Sequence, residues 1–265
     1  MVQKQSRPLS PHLQIYRWSP QMAISIFHRA TGFVLATAGL LTLLWWLSAI
    51  GGGAETYATF QKYVVSAGDE ATDLQAAANW FFRLVALVVT FSFFQHLFSG
   101  LRHLVLDMGA GCIRCGLFCN CIGGAACGIA VHRSLMMGSG TNIGKVRGLG
   151  SAKHGGGHWL HQRTTAVGNL LLTTWLVISL LIMPNFDQAT LAQWLAQPTV
   201  AVPMILMLVS IFWHVRLGLQ VLIEDYVHDD ALKFGAITML NFYVVGGAVF
   251  GIFTVAKLAF TGAAA

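Results

Sequence analysis

Two histidines carry the clearest chemical signal in this sequence. His96 and His214 each lie within a long apolar run, and each is followed by Gly at +4, Leu at +5 and Asp at +11. The first stretch reads His96-Leu-Phe-Ser-Gly100-Leu-Arg102-His103-Leu-Val-Leu-Asp107. The second reads His214-Val-Arg216-Leu-Gly218-Leu-Gln-Val-Leu-Ile-Glu224-Asp225. On a helix, +4 puts the glycine on the face of its histidine, where a bulky planar group can lie against the backbone. One imidazole from each of two helices, facing across an apolar slot, is the ligand set of a bis-histidine haem. A lone histidine in such a run is more often a hydrogen-bonded packing residue, and the doubled layout is what singles these two out. No acid stands beside either ring, which argues against a proton pump, and a zinc site would need more ligands close by.

Haem propionates need cations, and arginine is the better bidentate partner. Arg29 and Arg163 occupy matching positions at the mouths of two other apolar runs, and His28 and His103 lie near that depth. Plain snorkelling to lipid headgroups is the competing account of both arginines. Arg216, two residues past His214, points away from the histidine face. A second constellation is Ser25, Arg29, Asp225 and Tyr226, gathered at the same ends of the runs. Ser, Arg and Tyr can donate to the carbonyl oxygens of a quinone, and an Asp beside water can relay protons. Interfacial Tyr and Asp also occur without any ligand.

These residues must be positioned by membrane helices. Of the 265 residues, 55% are hydrophobic and only 10% charged, against about 25% charge in an ordinary soluble domain. A hydrocarbon core of about 30 Å needs about 20 apolar residues, and windows near 26–50, 80–106, 164–184, 199–223 and 234–257 meet that length. The expected fold is all-α, a polytopic transmembrane bundle of five spans with a sixth, doubtful one at 110–131. Lys and Arg crowd into 4–29, 102–114 and 133–163, while the hydrophilic loop 55–79 holds Glu55, Asp69, Glu70 and Asp73 against Lys62. By the positive-inside rule the basic segments are cytoplasmic, or matrix-facing, and loop 55–79 lies outside. Charges confined to the ends of spans argue for lipid contact and against nucleic acid. Residues 1–20 are polar and hold three prolines, so they do not form a secretory signal.

Taken in order, residues 1–22 read as a non-helical surface arm broken by Pro8, Pro11 and Pro20. Residues 110–131 contain all five cysteines, spaced C-x2-C-x3-C-x-C-x5-C among glycines. That spacing lacks the paired C-x2-C modules of a zinc ribbon, and the segment reads more simply as a poor membrane span. If it crossed, it would strand the basic stretch 133–163 outside, against the charge rule. Residues 132–160 are a Gly-rich linker in which Met137-Gly-Ser-Gly-Thr resembles the start of a separate polypeptide. The layout then restarts: His161-Gln-Arg163-Thr-Thr-Ala-Val-Gly168 echoes His28-Arg29-Ala-Thr31-Gly32. Pro184, Asn185 and Asp187 make an outside turn, with a short amphipathic helix at 188–196. Pro203 is expected in the first turn of its helix, where proline is tolerated. Two halves of like design result, 1–109 and 137–265, joined by an anomalous segment 110–136.

The stretch Arg7-Pro-Leu-Ser-Pro-His-Leu-Gln-Ile-Tyr, with Ser25-Ile-Phe-His-Arg-Ala-Thr-Gly32 and His96-x3-Gly-Leu-Arg-His-Leu-x2-Asp107, resembles the cytochrome b subunit of succinate dehydrogenase. Residues 137–260, with His214-x3-Gly218-x6-Asp225-Tyr226, resemble the other membrane anchor of that complex. The resemblance implies that His96 and His214 are axial ligands of one haem b, with Arg29, His28, His103 and Arg163 near its propionates. It implies that Ser25, Arg29 and Tyr226 help bind ubiquinone, with Asp225 near the proton path. Electrons would arrive from succinate through a flavoprotein and an iron–sulfur subunit docked on the cytoplasmic face, and the complexes could assemble as trimers. The implied location is a bacterial inner membrane, multi-pass with the N-terminus cytoplasmic, in preference to the mitochondrial inner membrane. A haem anchor of a quinol:fumarate reductase, or a structural anchor without haem, are the alternatives. The family normally has two polypeptides of three spans each, so a joined or frameshifted gene pair would explain the single chain.

Overall fold

The computed structural model describes residues 17, 19–66, 68, 71–107 and 155–261, so the cysteine-rich segment 110–131 and most of the glycine-rich linker lie outside the described residues. Among them the chain is all helix. Helix α1 (Pro20–Val34) runs through a π-helical stretch (Leu35–Gly39) into α2 (Leu40–Gly51). A short α3 (Ala54–Val64) is followed by the long α4 (Asp73–Asp107). The second half holds α5 (Gly155–Leu181), α6 (Gln188–Ala196), α7 (Pro198–Tyr226) and α8 (Asp230–Thr261). Five helical stretches are long and apolar enough to cross a membrane: Pro20–Gly51, Asp73–Asp107, Gly155–Leu181, Pro198–Tyr226 and Asp230–Thr261. The shortest has 27 residues, about 40 Å at 1.5 Å per residue, so each outruns the hydrocarbon core. Among the described residues these are the five spans, and the all-α class, expected from composition.

The helices exceed the predicted windows because backbone hydrogen bonding continues into the polar interface after the apolar residues stop. Pro20 is the first residue of α1, where its missing amide hydrogen costs nothing. The predicted arm therefore ends at Ser19 rather than at residue 22. The hydrophilic segment 55–79 is not a simple loop. Gly53, at φ 93°, turns the chain into α3, whose Tyr57 and Phe60 are buried one turn apart. Thr72 and Gln75 then start α4 as a reciprocal capping box, the Thr72 amide donating to Gln75 Oε1 at 3.1 Å and the Gln75 amide to Thr72 Oγ1 at 3.4 Å. Buried Asn79 donates to the Lys62 and Tyr63 carbonyls at 2.9 and 2.7 Å, satisfying the C-terminus of α3. The amphipathic helix expected at 188–196 is present as α6, capped by Asp187 Oδ1 accepting from the Thr190 amide at 2.7 Å. Pro203 lies inside α7, beyond the first turn in which it was expected, because that helix begins at Pro198; one ladder hydrogen bond is lost there.

The buried core sits at the end of the bundle where α2 finishes and α6 lies, here the distal end. Leu44, Leu47 and Ile50 meet Met204, Leu208 and Phe212 of α7 and Val255 and Leu258 of α8. Lipid is as apolar as these side chains, so shape rather than water exclusion holds the helices together. A Cβ at Gly247 would stand 2.6 Å from a ring carbon of Phe212, and one at Gly251 3.1 Å from Leu44 and Leu208. Glycine thus lets α8 close on α7 and α2. The carbonyl of Ala36, in the π-helical stretch, accepts from the Tyr243 hydroxyl of α8. By contrast α5 has no buried residue, and α1 only Thr31. The opposite, proximal end is built around polar contacts, and the histidines are there.

Candidate functional site

Along α4, His96, Ser99, Gly100, His103 and Asp107 recur at helical spacing and share one face. Helix α1 crosses that face. His28 Nδ1 stands 2.7 Å from Ser99 Oγ, whose own proton goes to the Gln95 carbonyl at 2.6 Å. The His28 ring stacks on His96 with centroids 4.0 Å apart and planes 10° from parallel, and His103 meets His28 edge-on at 5.3 Å. His96 Nδ1 lies 3.1 Å from the carbonyl of His28. A carbonyl can only accept, so Nδ1 carries a proton, and in the neutral ring Nε2 is the bare nitrogen. Gly32 makes the fit possible, since a Cβ there would stand 2.9 Å from His96 Cε1.

The second half repeats the plan with different groups. His214 of α7 faces α5, where Thr165 Oγ1 is 3.0 Å from its Nδ1 and the amide nitrogen of Gln162 is 3.3 Å from its Nε2. The glycines at +4 are both met by side chains from across the groove. A Cβ at Gly100 would lie 3.8 Å from His28 Cε1, and one at Gly218 3.6 Å from Gln162 Nε2. The two halves bring His96 and His214 to a centroid separation of 6.3 Å, with ring planes at 90°.

Two ion pairs cross between the halves at the proximal end. Arg29 Nη2 binds Asp225 Oδ2 at 2.9 Å, its Nη1 donates to the Tyr226 hydroxyl at 3.4 Å, and its guanidinium lies 5.8 Å over the Tyr226 ring. Ser25 stands one turn earlier on α1, half-buried. Arg163 pairs with Asp107 and lies 5.6 Å over Trp159. The arrangement is reciprocal: the aspartate eleven residues beyond each histidine binds the arginine at the mouth of the other half. Both pairs are partly exposed, with side-chain accessibilities of 41% and 44% for the first and 29% and 28% for the second. Each therefore contributes at most about 1 kcal/mol and acts mainly as register. Arg216 turns to α8, donating to Asn241 Oδ1 at 2.9 Å, away from the histidines.

The structure thus gathers His28, His96, His103 and His214 into one cluster and Arg29, Asp225 and Tyr226 into another, and it couples Arg163 to Asp107. Sequence reasoning assigned no role to Gln162, Thr165 or Ser99. For Thr165 a signal existed, because it follows Arg163 by two residues as Thr31 follows Arg29. Among the described residues three buried side-chain atoms have no partner: His158 Nε2, Gln162 Oε1 and Asn169 Oδ1. All three belong to one face of α5, the face that carries Thr165 to His214.

Fold and site together define a polytopic helical membrane protein whose helices meet at a proximal histidine cluster. A family model of the succinate dehydrogenase/fumarate reductase transmembrane subunit matches residues 3–115 and again 137–250. The chain belongs to that family. A succinate dehydrogenase hydrophobic membrane anchor subunit of Rickettsia bellii is 33% identical over 113 residues, 43% of this chain and 85% of that protein. The succinate dehydrogenase cytochrome b556 subunit of Paracoccus denitrificans is 34% identical over 110 residues, 42% of this chain and 74% of that protein. The mitochondrial cytochrome b560 subunit of Mus musculus is 36% identical over 110 residues, covering 40% of this chain and 56% of that protein. No solved structure matches significantly.

Proposed function

We propose that this chain is the membrane anchor of a succinate:ubiquinone oxidoreductase, uniting two anchor subunits and holding one haem b between them. Residues 1–109 take the part of the cytochrome b subunit and 137–265 that of the second anchor, with 110–136 as the junction. The observation that carries the reading is the 6.3 Å separation of the His96 and His214 rings, which come from opposite halves. The bare Nε2 of His96 and the unpartnered polar atoms of α5 also suit a ligand with polar edges.

When bound, haem b supplies a one-electron store between an iron–sulfur subunit and the quinone. The protein's own residues do the rest. His96 and His214 would hold the iron, and His28, His103, Arg29 and Arg163 would provide positive charge or donors for the propionates. At the proximal mouth Arg29 and Tyr226 donate to a quinone carbonyl oxygen, Ser25 offers a further hydroxyl, and Asp225 relays protons from water. The proximal face is cytoplasmic, in a bacterial inner membrane with the N-terminus inside, and there a flavoprotein and an iron–sulfur subunit dock. Succinate oxidation belongs to those partners, and direction of flux, toward quinone or toward fumarate, depends on their potentials.

In membranes that contain the assembled complex, Tyr226→Phe and Arg29→Lys should each raise the KM for ubiquinone in succinate-driven reduction while b-type absorbance is retained. Unchanged quinone kinetics in both variants would remove the quinone assignment. Intact mass of the purified protein tests the fusion: a single 28.7 kDa species supports it, and two smaller chains contradict it.

A further inference from the structure

His214 is approached from α5 by a side chain that the roles above do not use. Thr165 Oγ1 lies 3.0 Å from His214 Nδ1, and the same hydroxyl donates to the His161 carbonyl at 2.8 Å. A hydroxyl has one proton and two lone pairs. With the proton committed along its own helix, what faces the ring is an acceptor, so Nδ1 carries the hydrogen, and in the neutral ring Nε2 is the bare nitrogen. The Gln162 amide nitrogen agrees: 3.3 Å from Nε2, it can only donate, and only a bare ring nitrogen can receive it.

The distance is set by small residues. A Cβ at Gly168 would stand 3.2 Å from Ser210 Oγ, and Ser210 Oγ donates to the Thr165 carbonyl at 3.4 Å. Gly168 and Ser210 lie one turn from Thr165 and His214 on their respective helices, so the close backbone approach there delivers the hydroxyl to the ring. On the other side of the cluster the equivalent acceptor is the main-chain carbonyl of His28, 3.1 Å from His96 Nδ1. The two imidazoles are therefore oriented by acceptors of different kinds. On His96 that acceptor is main chain alone; on His214 the Thr165 hydroxyl acts beside a main-chain bond from Gln162.

We propose that Thr165 is a positioning residue of the site, holding His214 in the Nδ1–H form so that Nε2 is presented to the metal. The proposal rests on the ligand role given to His214 above. An acceptor on the far nitrogen fixes ring orientation and raises ligand basicity, and its removal typically lowers metal affinity about 10- to 100-fold.

The test uses the full chain, labelled with 15N-histidine, in lipid nanodiscs. Ring-nitrogen shifts are read before haemin is added, and haemin affinity is then measured by optical titration. Thr165→Val should move His214 toward the Nε2–H form and weaken haemin binding by about tenfold or more. Thr165→Ser, which keeps the hydroxyl, should preserve both. The His96 ring, with its backbone acceptor, should keep its shifts throughout. The proposal is overturned if Thr165→Val leaves tautomer and affinity unchanged, if the serine variant behaves like valine, or if His96 shifts as much as His214. His214→Ala separates the two levels of the account. If it binds haemin as tightly as the parent chain, the ligand reading itself fails; if it loses haemin while Thr165→Val does not, only this proposal fails.

Discussion

Replacing Gly32 by alanine places a methyl carbon 2.9 Å from His96 Cε1 and 3.2 Å from its Nδ1. Carbon atoms prefer separations of about 3.5–4.0 Å, so the ring must retreat by at least about 0.5 Å. It has little room to do so. The His28 ring is stacked on it at 4.0 Å, and Nδ1 is tied to the His28 carbonyl at 3.1 Å. Overpacking of this kind costs about 1–3 kcal/mol, against a gain of up to about 1 kcal/mol from replacing glycine within a helix. Two further glycines calibrate the balance. A Cβ at Gly100 meets His28 Cε1 at an ordinary 3.8 Å, and one at Gly246 meets nothing within 4 Å. Denaturant unfolding of the purified chain in detergent should rank Gly246→Ala at or above the parent, Gly100→Ala near it, and Gly32→Ala clearly below. If Gly32→Ala unfolds together with Gly246→Ala, the close seating of His96 against α1 is wrong.

Asp107→Asn and Arg163→Gln should each lower stability by no more than about 1 kcal/mol, because the pair is partly exposed; a double-mutant cycle by thermal unfolding measures the coupling. Tyr57 donates to the Phe186 carbonyl at 2.8 Å, pinning α3 to the turn before α6, and Tyr57→Phe should cost about 1 kcal/mol in the same assay. Burial raises the Tyr57 hydroxyl above the ordinary tyrosine value. Because the folded value is raised, this contribution is complete below about pH 10 and fades as pH rises through the folded value. Ultraviolet difference titration should show tyrosine ionisation delayed beyond the ordinary range, and Tyr57→Phe should remove one such group.

The spans were legible because uncharged runs of this length have few other uses, and the repeat was legible because histidine, glycine and aspartate recur at fixed offsets. Helix ends were less so. The segment 55–79 was read from its charges, whereas Tyr57 and Phe60 at helical spacing, and a Thr72–Gln75 capping box, make two helix segments of it. Of the site, the histidine pair could be proposed because its two members repeat one local layout of His, Gly and Asp. Thr165 on His214 and Arg163 on Asp107 depend on how α5 is rotated against α4 and α7, and that follows from contacts such as Gly168 with Ser210. The local sequence of α5 offers only the echo of Thr31 in Thr165, which does not state that rotation.

The central claim is that His96 and His214, one from each half, grip a single haem. The direct measurement is the reduced-minus-oxidised optical spectrum of membranes containing the chain with its partners, using succinate as reductant. His96→Ala and His214→Ala, introduced separately, should each abolish the b-type absorbance of the parent. Full absorbance in either single variant would contradict the pairing.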